Sequence, residues 1–230
     1  MNIYWVIFIG LMVLSLIISK SLSSAFNSYS NIPTEGYLTG KQVAEKMLRD
    51  NDIYDVTITC IQGQLSDHYN PVKKTLNLSQ AVYNGNSVAA AAVAAHECGH
   101  AVQHAQGYAW LQLRSNMVPA VNFASRWVQW ILLAGVVALS IGSHSATLLW
   151  IGIVLFALTT LFSFVTLPVE INASARALAW IENHQITNPQ SHQKAKRALR
   201  LAAYTYVVAA LSSLATLLYY VSIAMGRSRD

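Results

Sequence analysis

The chain has 230 residues, 54% hydrophobic and only 11% charged, with a formal net charge of +5. An ordinary soluble domain carries about 25% charged residues, so a surface that faces water on every side is excluded. The positive excess is modest and forms no basic stripe with interleaved aromatics, which argues against a nucleic-acid partner and fits a basic surface beside an anionic bilayer.

Met1 to Ser19 contains no charged side chain, and about 20 apolar residues suffice to span a membrane. No Lys or Arg precedes this run and Lys20 follows it. A cleaved signal peptide has its positive charge in front, so the segment reads as an uncleaved anchor, although "LSSA" (22–25) leaves a cleavage site open. A Ser/Asn-rich linker (21–31) leads to "TGKQVAEKMLRDND". There Thr39 and Gln42 fit a capping box, and Val43, Met47 and Leu48 share one helical face. "DVTITCIQG" alternates Val56, Ile58 and Cys60 against Thr57 and Thr59 and predicts a half-buried strand. Asn-Pro in "NPVK" predicts a turn joining Leu65–Tyr69 to Lys74–Ser79 as a hairpin. The two cysteines, Cys60 and Cys98, form no zinc knuckle or disulfide framework and read as buried or reduced thiols. No internal repeat is present.

The turn "YNGNS" leaves Asn86 or Ser87 to cap a helix over 87–106, whose alanines give it strong propensity. On that helix His96 and His100 lie one turn apart, about 6 Å along the axis, and project from one face. Two imidazoles so placed can reach one metal ion, and Glu97 beside the first can take a proton from an attacking water. His-Glu-Cys-Gly-His is the H-E-x-x-H pattern of zinc peptidases. The competing reading is a chance match on a buried helix. Gly99 and the alanines allow close packing against a neighbour. His104 continues the stripe about 12 Å from His96, too far to share an ion. Gln103 stands where a longer zincin motif requires glycine, so His104 reads as a helix-face residue.

Trp127 to Val169 is free of charge over 43 residues, room for two spans of about 20. The small and polar stretch Ser140–Thr147 breaks it, giving helices near 127–142 and 146–166. Leu201 to Gly226, another 26 charge-free residues, gives a fourth span. Two crossings separate 20–126 from 167–200, so both lie on one side. They carry 13 of the 15 basic residues, with only Arg227 and Arg229 opposite. Positive residues favour the cytoplasm, which predicts a multi-pass plasma-membrane protein with its site on the cytoplasmic side. Catalytic zinc takes three protein ligands. Glu170, the first charge after the long neutral run, is the candidate third, against the alternative of a simple span-edge anchor. Pro168 fits the first turn of a new helix. Ser174, one turn after Glu170, is placed to orient a ligand, while Asn172 and Arg176 are polar neighbours without a role. His184, Tyr204 and Tyr206 are candidate oxyanion donors, and His68 and Tyr69 read as ordinary residues of an edge strand on which a peptide can lie.

These segments, "LSDHYNPVKKTLNLS", "SVAAAAVAAHECGHAVQ" and "LPVEINASARAL" in that order, resemble the YugP-like membrane zinc metallopeptidases. The resemblance implies a gluzincin-like core tied to membrane helices, with His96 and His100 as zinc ligands, Glu97 as catalytic acid/base and Glu170 as third ligand. The layout is also similar to HtpX-type and prenyl-protein peptidases, whose E-x-x-x-D motif has Ser174 here in place of its Asp. The expected fold is a mainly α membrane protein with a small α+β zincin-like catalytic domain and about four transmembrane helices. Its segments are an anchor (1–19), a cytoplasmic zincin-like domain (20–126), a transmembrane hairpin (127–166), a third-ligand segment (167–200) and a last span (201–226). The expected activity is hydrolysis of peptide or membrane-protein substrates with one catalytic Zn2+. The alternatives are a zinc-binding membrane scaffold without catalysis, or a metal-free helical bundle.

Overall fold

The computed structural model describes residues 3–63, 65–141 and 146–226. Seven α-helices and three strands follow in the order α1 (Ile3–Tyr29), α2 (Gly40–Asp50), β1 (Thr57–Ile61), β2 (His68–Asn70), β3 (Thr75–Ser79), α3 (Gln80–Tyr83), α4 (Val88–Ala105), α5 (Ala109–Ser140), α6 (Thr147–Asn183) and α7 (Pro189–Gly226). The chain is a mainly α membrane protein: α1, α5, α6 and α7 are each long and apolar enough to cross a bilayer. It divides into two compact units. One comprises Ile17–Gln112 with Pro168–Thr205, the other Met1–Leu16, Leu113–Leu167 and Tyr206–Asp230.

The first unit is built on α4. Ser87 caps it, accepting a hydrogen bond from the Ala90 N–H, and its alanines are almost wholly buried. Against it packs α2, which starts with the capping box expected from Thr39 and Gln42 and buries Val43, Met47 and Leu48. The sheet has the order β1–β3–β2, with β1 parallel and β2 antiparallel to the central β3. On β3 the alternation is clean: Leu76 and Leu78 are fully buried, each worth about 1.5–3 kcal/mol of transfer free energy. The turn before β3 is held by Asn70, whose Oδ1 accepts from the Val72 and Lys73 N–H groups. The strand β2 starts at His68, later than the expected Leu65, because Leu65 has a left-handed φ of 55°. Cys98 is buried as expected, but Cys60 is exposed, lying on the outer strand β1. The unit closes with Ala177, Trp180 and Ile181 of α6 and Ala195 and Leu199 of α7 in the same core.

In the second unit α5 and α6 approach at Gly135, where an added Cβ would lie 2.7 Å from the Leu149 Cα. The pair buries Val128, Leu132, Leu149 and Ile153, while Trp130, Leu133 and Val154 are exposed, the outward apolar surface that lipid accepts. Thr160 and Ser213 share a 2.6 Å hydrogen bond. The middle of the expected turn Ser140–Thr147, positions 142–145, lies outside the described residues, as do Arg227 and Arg229. Further expectations are corrected. The stretch 21–31 is no linker for most of its length, since α1 runs on as helix to Tyr29. The α5 helix begins at Ala109 rather than near 127, because loss of charge marks where a helix suits lipid, not where its hydrogen bonds begin. Pro168 starts no new helix: α6 runs unbroken through it. Proline removes one i→i−4 hydrogen bond, a loss that membrane helices tolerate through neighbouring groups.

Candidate metal centre

The i,i+4 spacing on α4 brings the rings of His96 and His100 to 4.9 Å between centroids. From α6, Glu170 reaches them. Its Oε2 lies 3.3 Å from His96 Nε2 and 3.6 Å from His100 Nε2. One ligand atom from each of the three residues lies within 4.8 Å of the others. Ligand distances of about 2.0–2.1 Å imply roughly 3.3 Å between the donors of a tetrahedral zinc site. Two imidazoles and a carboxylate at these separations fit that ion. Close approach of the helices makes this possible: a Cβ on Gly99 would fall 2.6 Å from the Ala173 carbonyl oxygen.

Each imidazole has its other nitrogen engaged. His96 Nδ1 lies 3.1 Å from Ser174 Oγ, and His100 Nδ1 lies 3.1 Å from Gln103 Oε1. Both Nε2 atoms therefore face Glu170. Gln103 is fully buried, and its Nε2 donates to the Val169 carbonyl at 2.8 Å and to Asn172 Oδ1 at 3.0 Å. Arg176 donates to the same Asn172 oxygen at 2.7 Å and to Gln106 Oε1 at 2.6 Å. This chain ties α4 to α6 beside the cluster and gives Asn172 and Arg176 a structural place. The sequence offered only one hint of Gln103, its position three residues after His100 on the same face.

Glu97 is buried, and its Oε2 accepts a 3.1 Å hydrogen bond from the Tyr69 backbone N–H. Burial pushes its carboxyl above the ordinary value, and the nearby His96 and His100 only partly offset this. Burial acts to lower His100, but Glu170 and Glu97 outweigh it and hold the imidazole above its usual value. Cys98, within the motif, is pushed well up by burial and is no nucleophile.

His104 is exposed and bonds the Tyr69 hydroxyl at 2.9 Å, outside the three-residue cluster. His184 has both nitrogens occupied, by the Trp180 carbonyl at 2.9 Å and Asp50 Oδ2 at 3.0 Å, so it is not available as an oxyanion donor. His68 is held by the Ser66 carbonyl and Asn77.

The model of a family described as "Putative neutral zinc metallopeptidase" matches residues 4–225. The "Putative membrane protease YugP" of Bacillus subtilis (strain 168) is 39% identical over 210 residues, 91% of each chain. No solved structure matches.

Proposed function

This chain belongs to the neutral zinc metallopeptidase family, and from that premise we propose that it is a membrane endopeptidase, with His96, His100 and Glu170 holding one zinc ion and Glu97 acting as general base, then acid. The observation that carries this reading is the convergence of three ligand atoms within 4.8 Å, with Glu97 on the turn that bears both histidines. Bound zinc supplies Lewis acidity, which makes water a nucleophile near neutral pH and polarises a carbonyl. Glu97 takes the proton of the attacking water and returns it to the leaving amine. Its raised proton affinity brings the carboxyl closer to the working pH, where acid–base transfer is efficient. The Tyr69 N–H holds one carboxylate oxygen, so the proton moves at a fixed position. Ser174 and Gln103 fix the ring orientation of the two histidines.

The strand β2 is an edge of the sheet, and its Tyr69 N–H is turned to the motif helix. An extended peptide lies along this edge, paired through backbone hydrogen bonds. The basic residues of 20–126 and 167–200 put the site on the cytoplasmic face of the plasma membrane. Its substrates are then membrane proteins or their juxtamembrane tails, in processing or quality control.

Casein hydrolysis by the native protein and by Glu97→Gln, compared at equal zinc content, tests the assignment. Loss of a general base lowers the rate about 10²–10⁴-fold. Equal rates would overturn the peptidase and leave a zinc-binding scaffold. Membrane proteomics of cells with either form then identifies substrates as intact proteins that accumulate with Glu97→Gln.

A further inference from the structure

A second site lies away from the metal cluster, where α1 leaves its apolar run. A groove of about 490 Å³ is lined by Ile17, Lys20, Ser21, Ser24, Ala25, Ser28 and Tyr29 of α1 and by Arg197 of α7. That volume falls in the range of small-molecule sites. Ile17, Ser21, Ser24 and Ser28 recur at i, i+4, i+7 and i+11, which is one helical face, and Ala25 is the buried residue of α1.

Two features of the lining point to an anion. It holds two cations and no carboxylate, and neither Lys20 nor Arg197 has an ion-pair partner among the described residues. The three serine hydroxyls likewise have no hydrogen-bond partner among the described residues. By contrast Ser30 and Ser163 turn back onto the carbonyl four residues earlier. Depth supplies the rest. Lys20 is the first charge after the apolar run, so the groove opens at the boundary between hydrocarbon and headgroups, with Ile17 on the lipid side.

We propose that this groove binds an anionic phospholipid. Its phosphodiester lies between the Lys20 ammonium and the Arg197 guanidinium, accepts hydrogen bonds from Ser21, Ser24 and Ser28, and has its acyl chains beside Ile17. Arginine matches two phosphate oxygens at once, and lysine adds a point charge. A zwitterionic headgroup brings its own cation into the same groove and is disfavoured.

The test uses the full-length protein in nanodiscs of equal parts phosphatidylglycerol and phosphatidylcholine, released and weighed by native mass spectrometry. Phosphatidylglycerol adducts are expected to exceed phosphatidylcholine adducts about tenfold. The pair Lys20→Gln and Arg197→Gln is expected to abolish that excess. The pair Arg49→Gln and Lys73→Gln removes the same charge outside the groove and is expected to keep it. No preference in the native protein, or equal loss in both pairs, overturns the site. Loss of the adducts on adding inorganic phosphate at about the millimolar level that a weak soluble-anion site requires assigns the groove to a free anion and overturns the lipid.

Discussion

Gln103 has no surface in water, yet all its polar atoms are engaged, joining His100 to Val169 and Asn172. Outer partners of this kind are worth about 10–100-fold in metal affinity. Gln103→Ala is therefore expected to weaken zinc binding by that factor in a chelator competition, with Gln103→Glu recovering part of it through the retained acceptor. Glu97 carries the opposite cost. Its folded-state proton affinity is raised, so the folded chain binds that proton more tightly than the unfolded one. Stability through this group is then greatest below the unfolded value of about 4.3 and declines as pH rises towards the folded one. Glu97→Gln keeps an acceptor for the Tyr69 N–H and removes the buried charge. Metal-free Glu97→Gln is expected to be about 1 kcal/mol more stable than the native chain at pH 7, with the gap closing towards pH 4 in thermal melts. At this scale the sequence was most informative where chemistry restricts the residue type. The proximity of His96, His100 and Glu170 was legible from spacing and isolation, and the Ser174–His96 contact from the turn after Glu170. Gln103 was not, since a buried amide and a solvated one look alike until the facing backbone is known.

Packing of α4 on α6 decides whether His96, His100 and Glu170 meet, and Gly99 sets how closely. A methyl there meets the Ala173 carbonyl oxygen at 2.6 Å and the Ala173 Cα at 3.1 Å, all backbone. Gly99→Ala gains about 1 kcal/mol of helix propensity but forces the helices apart, at about 1–3 kcal/mol. The expected result is a lower melting temperature together with weaker zinc binding, whereas a pure propensity effect raises the melting temperature. Elements with a strong local signal followed the sequence: the Thr39 box begins α2, Ser87 caps α4, and Asn70 turns β2 into β3. What depended on partners did not. The parallel pairing of β1 with β3 is a tertiary choice, and it puts Cys60 on the outer strand. The passage of α6 through Pro168 is likewise a choice that proline propensity in water opposes.

Over the whole molecule, Ile17–Gln112 and Pro168–Thr205 form one unit, which the proposed topology puts on the cytoplasmic side. The two cysteines report on that side. Cys60 is exposed and Cys98 buried, and thiol reactivity requires access as well as the thiolate. In sealed spheroplasts a membrane-impermeant maleimide is expected to leave both cysteines unmodified. In inverted vesicles it is expected to label Cys60 alone, with Cys98 reacting only after denaturation. Labelling of Cys60 in intact spheroplasts would place this unit on the outer face. The division into units also has a consequence in time. His96 and Glu170 stand 74 residues apart, with two apolar helical passes made between them. At about 5–20 residues per second, a ribosome that has released the histidines works for several seconds more before the Glu170 carboxylate exists. On the proposed ligand assignment, the nascent chain therefore holds an unfinished set while its first half is folding, and the set becomes complete only once the third hydrophobic helix has been synthesised.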